Sequence, residues 1–270
     1  MKVIKANGEL EVFDKNKIKR TVLKAGGSED FAKKIASRIE KESHDGITTN
    51  EILKKILRLL KDKPLIALKY NLKRAIMSLG PTGFTFEEYF SQILQNYGYN
   101  TKVDLTLKGK AITQEVDILA EKNKTFMIEC KYHNKIGIHT DSKVAMYTYA
   151  RFLDLKNNPK NKIDQGWLVT NTKCTSHAIK YAKAVNLKIT SWKYASKNEK
   201  NLQELIREKK LYPITILHSV KGKIRQKLVE SKIVLVKSII NYDIISLRQK
   251  TGLSKKELNT LINEANKVMD

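Results

Sequence analysis

Two alternating segments, at 111–120 and 125–133, constrain this chain most, because acidic residues sit in the middle of what must be strands. Side chains alternate faces along a strand. In the first segment Ile112, Val116, Ile118 and Ala120 fall on one side, with Glu115 and Asp117 on the other. In the second, Phe126, Ile128 and Cys130 oppose a set made of Glu129, Lys131 and His133. Directly opposed residues in an antiparallel pair share a face, so the apolar sets must meet. Ile118 opposite Ile128 and Val116 opposite Cys130 belong to a single register, closed by the loop Lys122-Asn123-Lys124. Asparagine tolerates the left-handed conformation such loops need. That register sets Asp117 opposite Glu129, with Lys131 beside them, on a face expected to be wet.

Two carboxylates on one face offer hard oxygen ligands for Mg²⁺ or Mn²⁺. Such a cation acidifies bound water and neutralises charge on a phosphoryl group, and Lys131 stands within reach of either. The plainer reading is a solvated hairpin face, but acids are disfavoured mid-strand. The chemistry requires the Asp117, Glu129 and Lys131 head groups to converge on one cation.

Charge narrows the substrate. The 270 residues carry 52 Lys and Arg against 28 Asp and Glu, a net +24, which favours a polyanionic partner. No run approaches 18 apolar residues, so a spanning helix is not expected, and Met1–Phe13 alternates like a strand rather than a signal peptide. Two cysteines, Cys130 and Cys174, are too few for a disulfide scaffold or a four-cysteine zinc site. A reducing, cytoplasmic setting, no membrane and a nucleic-acid partner are therefore expected.

Punctuation divides the chain into 1–80, 81–211 and 212–270. The first part reads as a hairpin around Asn7-Gly8, a helix capped by Asp14, a helix from Ser28, a Thr48/Glu51 capping box and a helix from Pro64. Gly80-Pro81-Thr82-Gly83 marks the boundary. Beyond it a helix near 86–97, three strands, and then alternating helices and strands to 209 predict a mixed sheet with helices on both faces. From Pro213 onward the pattern is helical. The fold class expected is multidomain α/β, with a small α+β domain, an αβββαβ core and an all-α C-terminal domain.

Asp117 followed by Glu129-Cys130-Lys131 resembles the PD-(D/E)xK motif of restriction-endonuclease-like nucleases, in their Mrr-like and Holliday-junction-resolvase-like branch. The resemblance covers about 82–195 and includes Gly83-Phe84-Thr85-Phe86-Glu87 and Trp167-Leu168-Val169-Thr170-Asn171. It implies that Asp117 and Glu129 ligate the metal, that Lys131 orients or activates water, and that a helix glutamate assists. No "PD" precedes the aspartate, which follows Glu115-Val116. Thr85 and Glu88 fit a capping box, which leaves Glu87 as the assisting residue. His133 is a candidate for phosphate contact or proton transfer, and equally a surface histidine at a strand end.

Residues 2–79 resemble an ATP-cone, the nucleotide-sensing module of ribonucleotide reductases and their repressor. The matching strings are Val3-Ile4-Lys5-Ala6-Asn7-Gly8, Glu11-Val12-Phe13-Asp14-Lys15-Asn16-Lys17-Ile18 and Asp45-Gly46-Ile47-Thr48-Thr49. The resemblance implies contacts to ATP or dATP from Lys5, Glu11, Val12, Phe13, Asp14, Lys15, Asn16, Lys17 and Thr49. Lys-Ala-Asn-Gly stands where the family usually has Lys-Arg-Asp-Gly, which lacks one basic and one acidic group. A cone that no longer binds nucleotide is the alternative.

Residues 213–270 resemble a tandem helix-hairpin-helix region, chiefly at Leu247–Ser254. Gly252 permits the tight turn, Ser254 and Glu257 form a capping box, and Lys255 and Lys256 flank amides suited to a DNA phosphate. A helical dimerisation or packing module is the competing reading, and a homodimer is compatible with the sequence. The whole points to a Mg²⁺-dependent DNA endonuclease regulated by ATP or dATP. The alternatives are a non-catalytic, nucleotide-responsive DNA-binding protein on a nuclease scaffold, and an RNA-processing nuclease using the same chemistry.

Overall fold

The structure, a computed structural model, describes residues 1–80 and 83–269. Pro81 and Thr82, at the centre of the expected boundary string, lie outside the described residues, as does Asp270. The N-terminal part runs β1 (Lys2–Ile4), β2 (Leu10–Val12), α1 (Lys15–Lys24), α2 (Glu29–Lys41), β3 (Ile47–Thr48), α3 (Thr49–Leu59), α4 (Pro64–Tyr70) and α5 (Leu72–Met77). β1 lies between antiparallel β2 and parallel β3. The expected caps form: Asp14 accepts from the Asn16 amide, and Thr48 and Glu51 close a capping box. Val3, Ile18, Val22, Ile35, Ile39, Ile47 and Ile56 make a separate core, which ends at Tyr70.

The middle part runs α6 (Phe84–Asn96), β4 (Asn100–Lys108), β5 (Thr113–Glu121), β6 (Thr125–Lys131), β7 (His139–Thr140), α7 (Ser142–Lys156), β8 (Gln165–Thr170), β9 (Lys173–Cys174), α8 (Ser176–Ala184), β10 (Lys188–Thr190) and α9 (Leu202–Glu208). The main sheet has the order β10-β8-β6-β5-β4, antiparallel from β4 to β6 and parallel from β6 to β10. One face packs on α6 and the C-terminal helices through Phe86, Phe90, Ile118, Ile128 and Trp167. The other meets α7 and α8 through Met127, Phe152, Leu155, Leu168, Ala145 and Ala178. The expected mixed sheet with helices on both faces is what forms.

A 3₁₀ turn (Ile214–Ile216) leads into α10 (Gly222–Glu230), α11 (Val236–Asn241), α12 (Ile244–Thr251) and α13 (Lys255–Met269). These helices do not build a core of their own. Leu228, Val236, Leu247, Leu258 and Leu261 join the cluster that holds α6 and the sheet, as do Leu72, Ile76 and Leu79 from the far side of the expected boundary. The apolar core thus changes hands within α4, whose Ile66, Ala67 and Tyr70 pack on the N-terminal cluster while Leu65 and Leu68 pack on the larger one. Among the described residues no helix is long and apolar enough to cross a membrane.

Candidate active site

β5 and β6 pair in the register that their alternation predicts, with Ile118 opposite Ile128, Leu119 opposite Met127 and Ala120 opposite Phe126. The ladder stops there, one pair short of Asp117 and Glu129. Instead of a backbone bond, the Cys130 amide donates to Asp117 Oδ2 at 2.6 Å. The carboxylate is thereby fixed against the strand that carries Glu129 and Lys131.

The alternation expected along β5 fails at this point. Val116 packs with Met127, Phe152 and Leu155 on the α7 side, whereas Ile118 packs with α6. β4 switches sides likewise, with Val103 toward α6 and Leu105 toward α7. Between those two lies Asp104 in the left-handed region at φ 55°, a conformation aspartate tolerates better than most residues. The expected placement of Val116 opposite Cys130 on the α6 face is corrected by this local twist.

The expectation of a wet polar face is also corrected. α7 lies over it, and Glu129 is only 6% exposed. A carboxylate so buried needs compensation. Arg151 supplies it, with Nη1 donating to Glu129 Oε2 at 2.6 Å, and the Tyr147 hydroxyl donates to Oε1. Tyr147 and Arg151 are one helical turn apart, and the guanidinium lies 5.5 Å from the Tyr147 ring centre. Neither residue stood out in the sequence. The spacing of four on a helix facing buried acids was the available signal.

Glu87 reaches the same place from α6. Burial, with Asp117, Asp104 and Glu129 nearby, pushes its carboxyl up to about 7. Asp117 is pushed up to about 6 by burial and by Glu129, against the opposing pull of the Cys130 amide and Arg151. The Thr85–Glu88 capping box does not form. α6 begins at Phe84, one residue before the expected cap, Thr85 is buried, and Glu88 accepts from Gln92 Nε2 at 2.8 Å. Glu87, not Glu88, is the glutamate facing the other acids.

Lys131 ends β6 beside Thr170 of β8 and makes no hydrogen bond or ion pair among the described residues. His133 lies past the strand end, so alternation no longer places it. Its backbone is bracketed by Asn171, at 2.9 Å and 2.8 Å, and its ring contacts Thr140 Oγ1 at 3.2 Å. Burial and Lys131 hold the imidazole below its usual range.

Asp117, Glu129 and Glu87 offer the hard oxygen chemistry that suits a divalent cation, and like charges crowd there beside the Arg151 guanidinium. Among the described residues, however, no group of three or more His, Cys, Asp or Glu side chains could hold a metal ion as it stands. Both oxygens of Glu129 are already engaged by α7.

In the N-terminal part a hollow of about 210 Å³ is lined by Glu11, Val12, Phe13, Asp14, Lys17 and Thr49, six of the residues the ATP-cone resemblance implies, together with Tyr70. Lys5, Lys15 and Asn16 are not among its lining. Lys5 pairs with Glu9, Lys15 with Glu40 at 3.0 Å, and the Asn16 amide is spent on Asp14. At the other end of the chain Gly252 adopts φ 59° and caps α12, and Ser254 and Glu257 form the expected box before α13. Lys255 and Lys256 are exposed at that helix start. The Glu257 carboxylate occupies the Ser254 amide there, and the Lys227 ammonium covers the Gly252 carbonyl.

Three protein families match the chain. The ATP cone domain matches residues 1–76, the restriction endonuclease family of the Mrr catalytic type matches 80–196, and the AF1548-like C-terminal domain matches 212–269. A protein of Archaeoglobus fulgidus described as uncharacterized is 39% identical over 180 residues, which is 66% of this chain and 99% of that protein. A crystal structure of a protein of unknown function, AF1548, agrees with a TM-score of 0.62 at 36% identity, covering 70% of this chain and 98% of that one.

Proposed function

Because the chain belongs to the restriction-endonuclease-like family of the Mrr type, with an ATP cone before the catalytic domain and an AF1548-like domain after it, we propose that it is a divalent-metal-dependent DNA endonuclease regulated by ATP or dATP. The observation that carries this reading is the Asp117 carboxylate fixed on the Cys130 amide between Glu129 and Lys131, with Glu87 of α6 near enough for the acids to raise one another's proton affinity. Asp117 and Glu129 would hold the cation, which when bound supplies charge neutralisation on the phosphoryl oxygens and an acidified water. The chain's own groups do the rest. Lys131 holds a scissile phosphate oxygen or the attacking water, and Glu87, poised near neutrality, accepts or returns a proton. The net charge of +24 draws the phosphate backbone to the site.

The test is cleavage of supercoiled, linear and four-way-junction DNA with Mg²⁺ or Mn²⁺, using the wild type, Asp117→Ala and Lys131→Ala. Loss of cleavage in both variants is expected, and equal activity in all three proteins removes the assignment. One observation favours the second reading, a non-catalytic nucleotide-responsive DNA-binding protein: Glu129 is neutralised by Arg151 and hydrogen-bonded by the Tyr147 hydroxyl without a metal ion. Salt-sensitive binding with no cleavage under any metal would establish that reading instead.

A further inference from the structure

The parallel strands β6, β8 and β10 run the same way and end at one rim of the sheet. In an open α/β sheet the carboxyl ends of the strands are where ligands are held. Each of these three ends delivers a lysine. Lys131 closes β6 opposite Thr170 of β8. Lys173 follows β8 by three residues and pairs with His139 of β7. Lys193 follows β10 by three residues, and the Trp192 amide just before it donates to the Thr172 carbonyl at 2.9 Å. That bond ties together the residues immediately preceding Lys193 and Lys173. Neighbouring strands are about 4.8 Å apart, so the rim from β6 to β10 covers about 10 Å.

The rim does not stop at the nuclease domain. The cone closes on it, since a side chain at Gly137, two residues before β7, would meet the Asn7 amide nitrogen at 3.0 Å. The Lys193 ammonium is held below its usual range by burial, then by Lys173 and by Lys24, Lys17 and Arg20 of the cone's α1. Lys73 of α5 is held down to about 8 by burial and by Lys173 and Lys193. Lys17 and Arg20 are offset by Glu11 and Asp14. Lys24, Lys73, Lys173 and Lys193 make no ion pair among the described residues. Like charges gathered from two domains repel one another and weaken the compact state. A phosphate backbone, with one charge about every 3.4 Å along each strand, neutralises a row of that kind.

We propose that duplex DNA engaged at the active site runs on across this rim and onto α1 of the cone, with Lys173, Lys193 and Lys24 holding its phosphates. The inference rests on the endonuclease reading for the identity of the polyanion, and extends it by giving the cone a share of the DNA surface. Lysines contact phosphate and carry no base readout, so this surface adds grip and register without sequence preference. Because Lys24 belongs to one domain and Lys193 to the other, bound DNA bridges the two and restrains their relative position.

The experiment is fluorescence anisotropy of a short labelled DNA duplex with the full chain in EDTA, repeated across salt concentrations. Wild type is compared with Lys24→Gln, Lys173→Gln and Lys193→Gln, and with Lys162→Gln as the control. Lys162 precedes β8 and so stands at the opposite rim. All four lysines are exposed, so the variants read binding rather than folding. Each rim variant is expected to reduce the log–log salt slope by about 0.9 and to weaken binding about eightfold at ~0.1 M salt. Lys162→Gln is expected to bind like wild type. Unchanged affinity and slope in Lys24→Gln, in a protein that cleaves DNA, overturn the inference and leave the endonuclease reading standing. Equal weakening in the control and the rim variants also overturns it, since net charge alone then accounts for binding. Weakening confined to the rim variants, in a protein that cleaves DNA with no metal ion tried, upholds the surface and removes the endonuclease. Wild-type protein that binds RNA of the same sequence but not the duplex overturns both.

Discussion

At the scale of single residues, the acids of the site set a pH dependence. Glu87 has a folded-state value of about 7 against an ordinary 4.5, caused by burial and by Asp117, Asp104 and Glu129. A carboxyl raised on folding holds its proton more tightly in the native chain, so native protein carries more protons than unfolded protein between those values. Stability is then full below the unfolded value and is lost as pH rises toward 7 and beyond. The complete shift corresponds to about 3 kcal/mol, and solvent screening at this half-exposed group reduces it to about 1 kcal/mol. Metal-free protein in EDTA is expected to melt lower at pH 8 than at pH 5. Glu87→Gln is expected to flatten that decline and to be the more stable protein at pH 8 by about 1 kcal/mol, read from urea melts at the two pH values. Parallel pH profiles for wild type and variant would show that Glu87 is not under this strain.

At the scale of elements, α7 decides how Glu129 is held. Arg151→Gln removes the guanidinium paired with a carboxylate that is 6% exposed, and an uncompensated buried charge costs about 3 kcal/mol. A lowered urea midpoint is expected for Arg151→Gln, with most of the loss recovered in the double variant Arg151→Gln/Glu129→Gln. A midpoint unmoved by Arg151→Gln would mean that the pair contributes nothing. This interaction was invisible in the sequence because it joins residues 22 apart across two elements. Alternation reports which side a residue takes on its strand, not which helix will cover that side. The same limit explains the other departures. The β5–β6 register was legible because Ile118, Ala120, Phe126 and Ile128 admit a single apolar match. The twist at Asp104 was not, since nothing in a period of two signals a left-handed residue inside a strand. The Thr85–Glu88 box matched a cap pattern, but burial of Thr85 and an earlier start at Phe84 outweighed it. Glu87 stayed legible because it is one position removed from the glutamate that α6 spends on Gln92.

At the scale of the molecule, charge and core answer different questions. The net charge of +24 predicts DNA binding by Asp117→Ala protein without metal, with affinity falling steeply with salt. Contact with about six phosphates would give a log–log slope near −5, measurable by fluorescence anisotropy across salt concentrations. A slope near zero would remove the polyanion reading. The core predicts how the chain comes apart. The cone keeps its own apolar cluster, whereas Leu65 and Leu68 of α4 join α5, α6, the sheet and α10–α13 in another. Tyr89 of α6 is fully buried, and its hydroxyl donates to the Leu211 carbonyl at 2.8 Å, where the C-terminal part begins. Cutting there strips Leu217, Leu228, Val236 and Leu258 from α6 and the sheet, at about 1.5–3 kcal/mol for each side chain that loses its burial. Several such losses exceed the whole stability of a typical domain. A fragment of residues 64–270 is therefore expected to fold and melt in one cooperative transition, while residues 64–211 alone are expected to lack protected amides in hydrogen exchange. Native-like protection in the shorter fragment would mean that the helical C-terminal part is a passenger on the nuclease domain instead of half of its core.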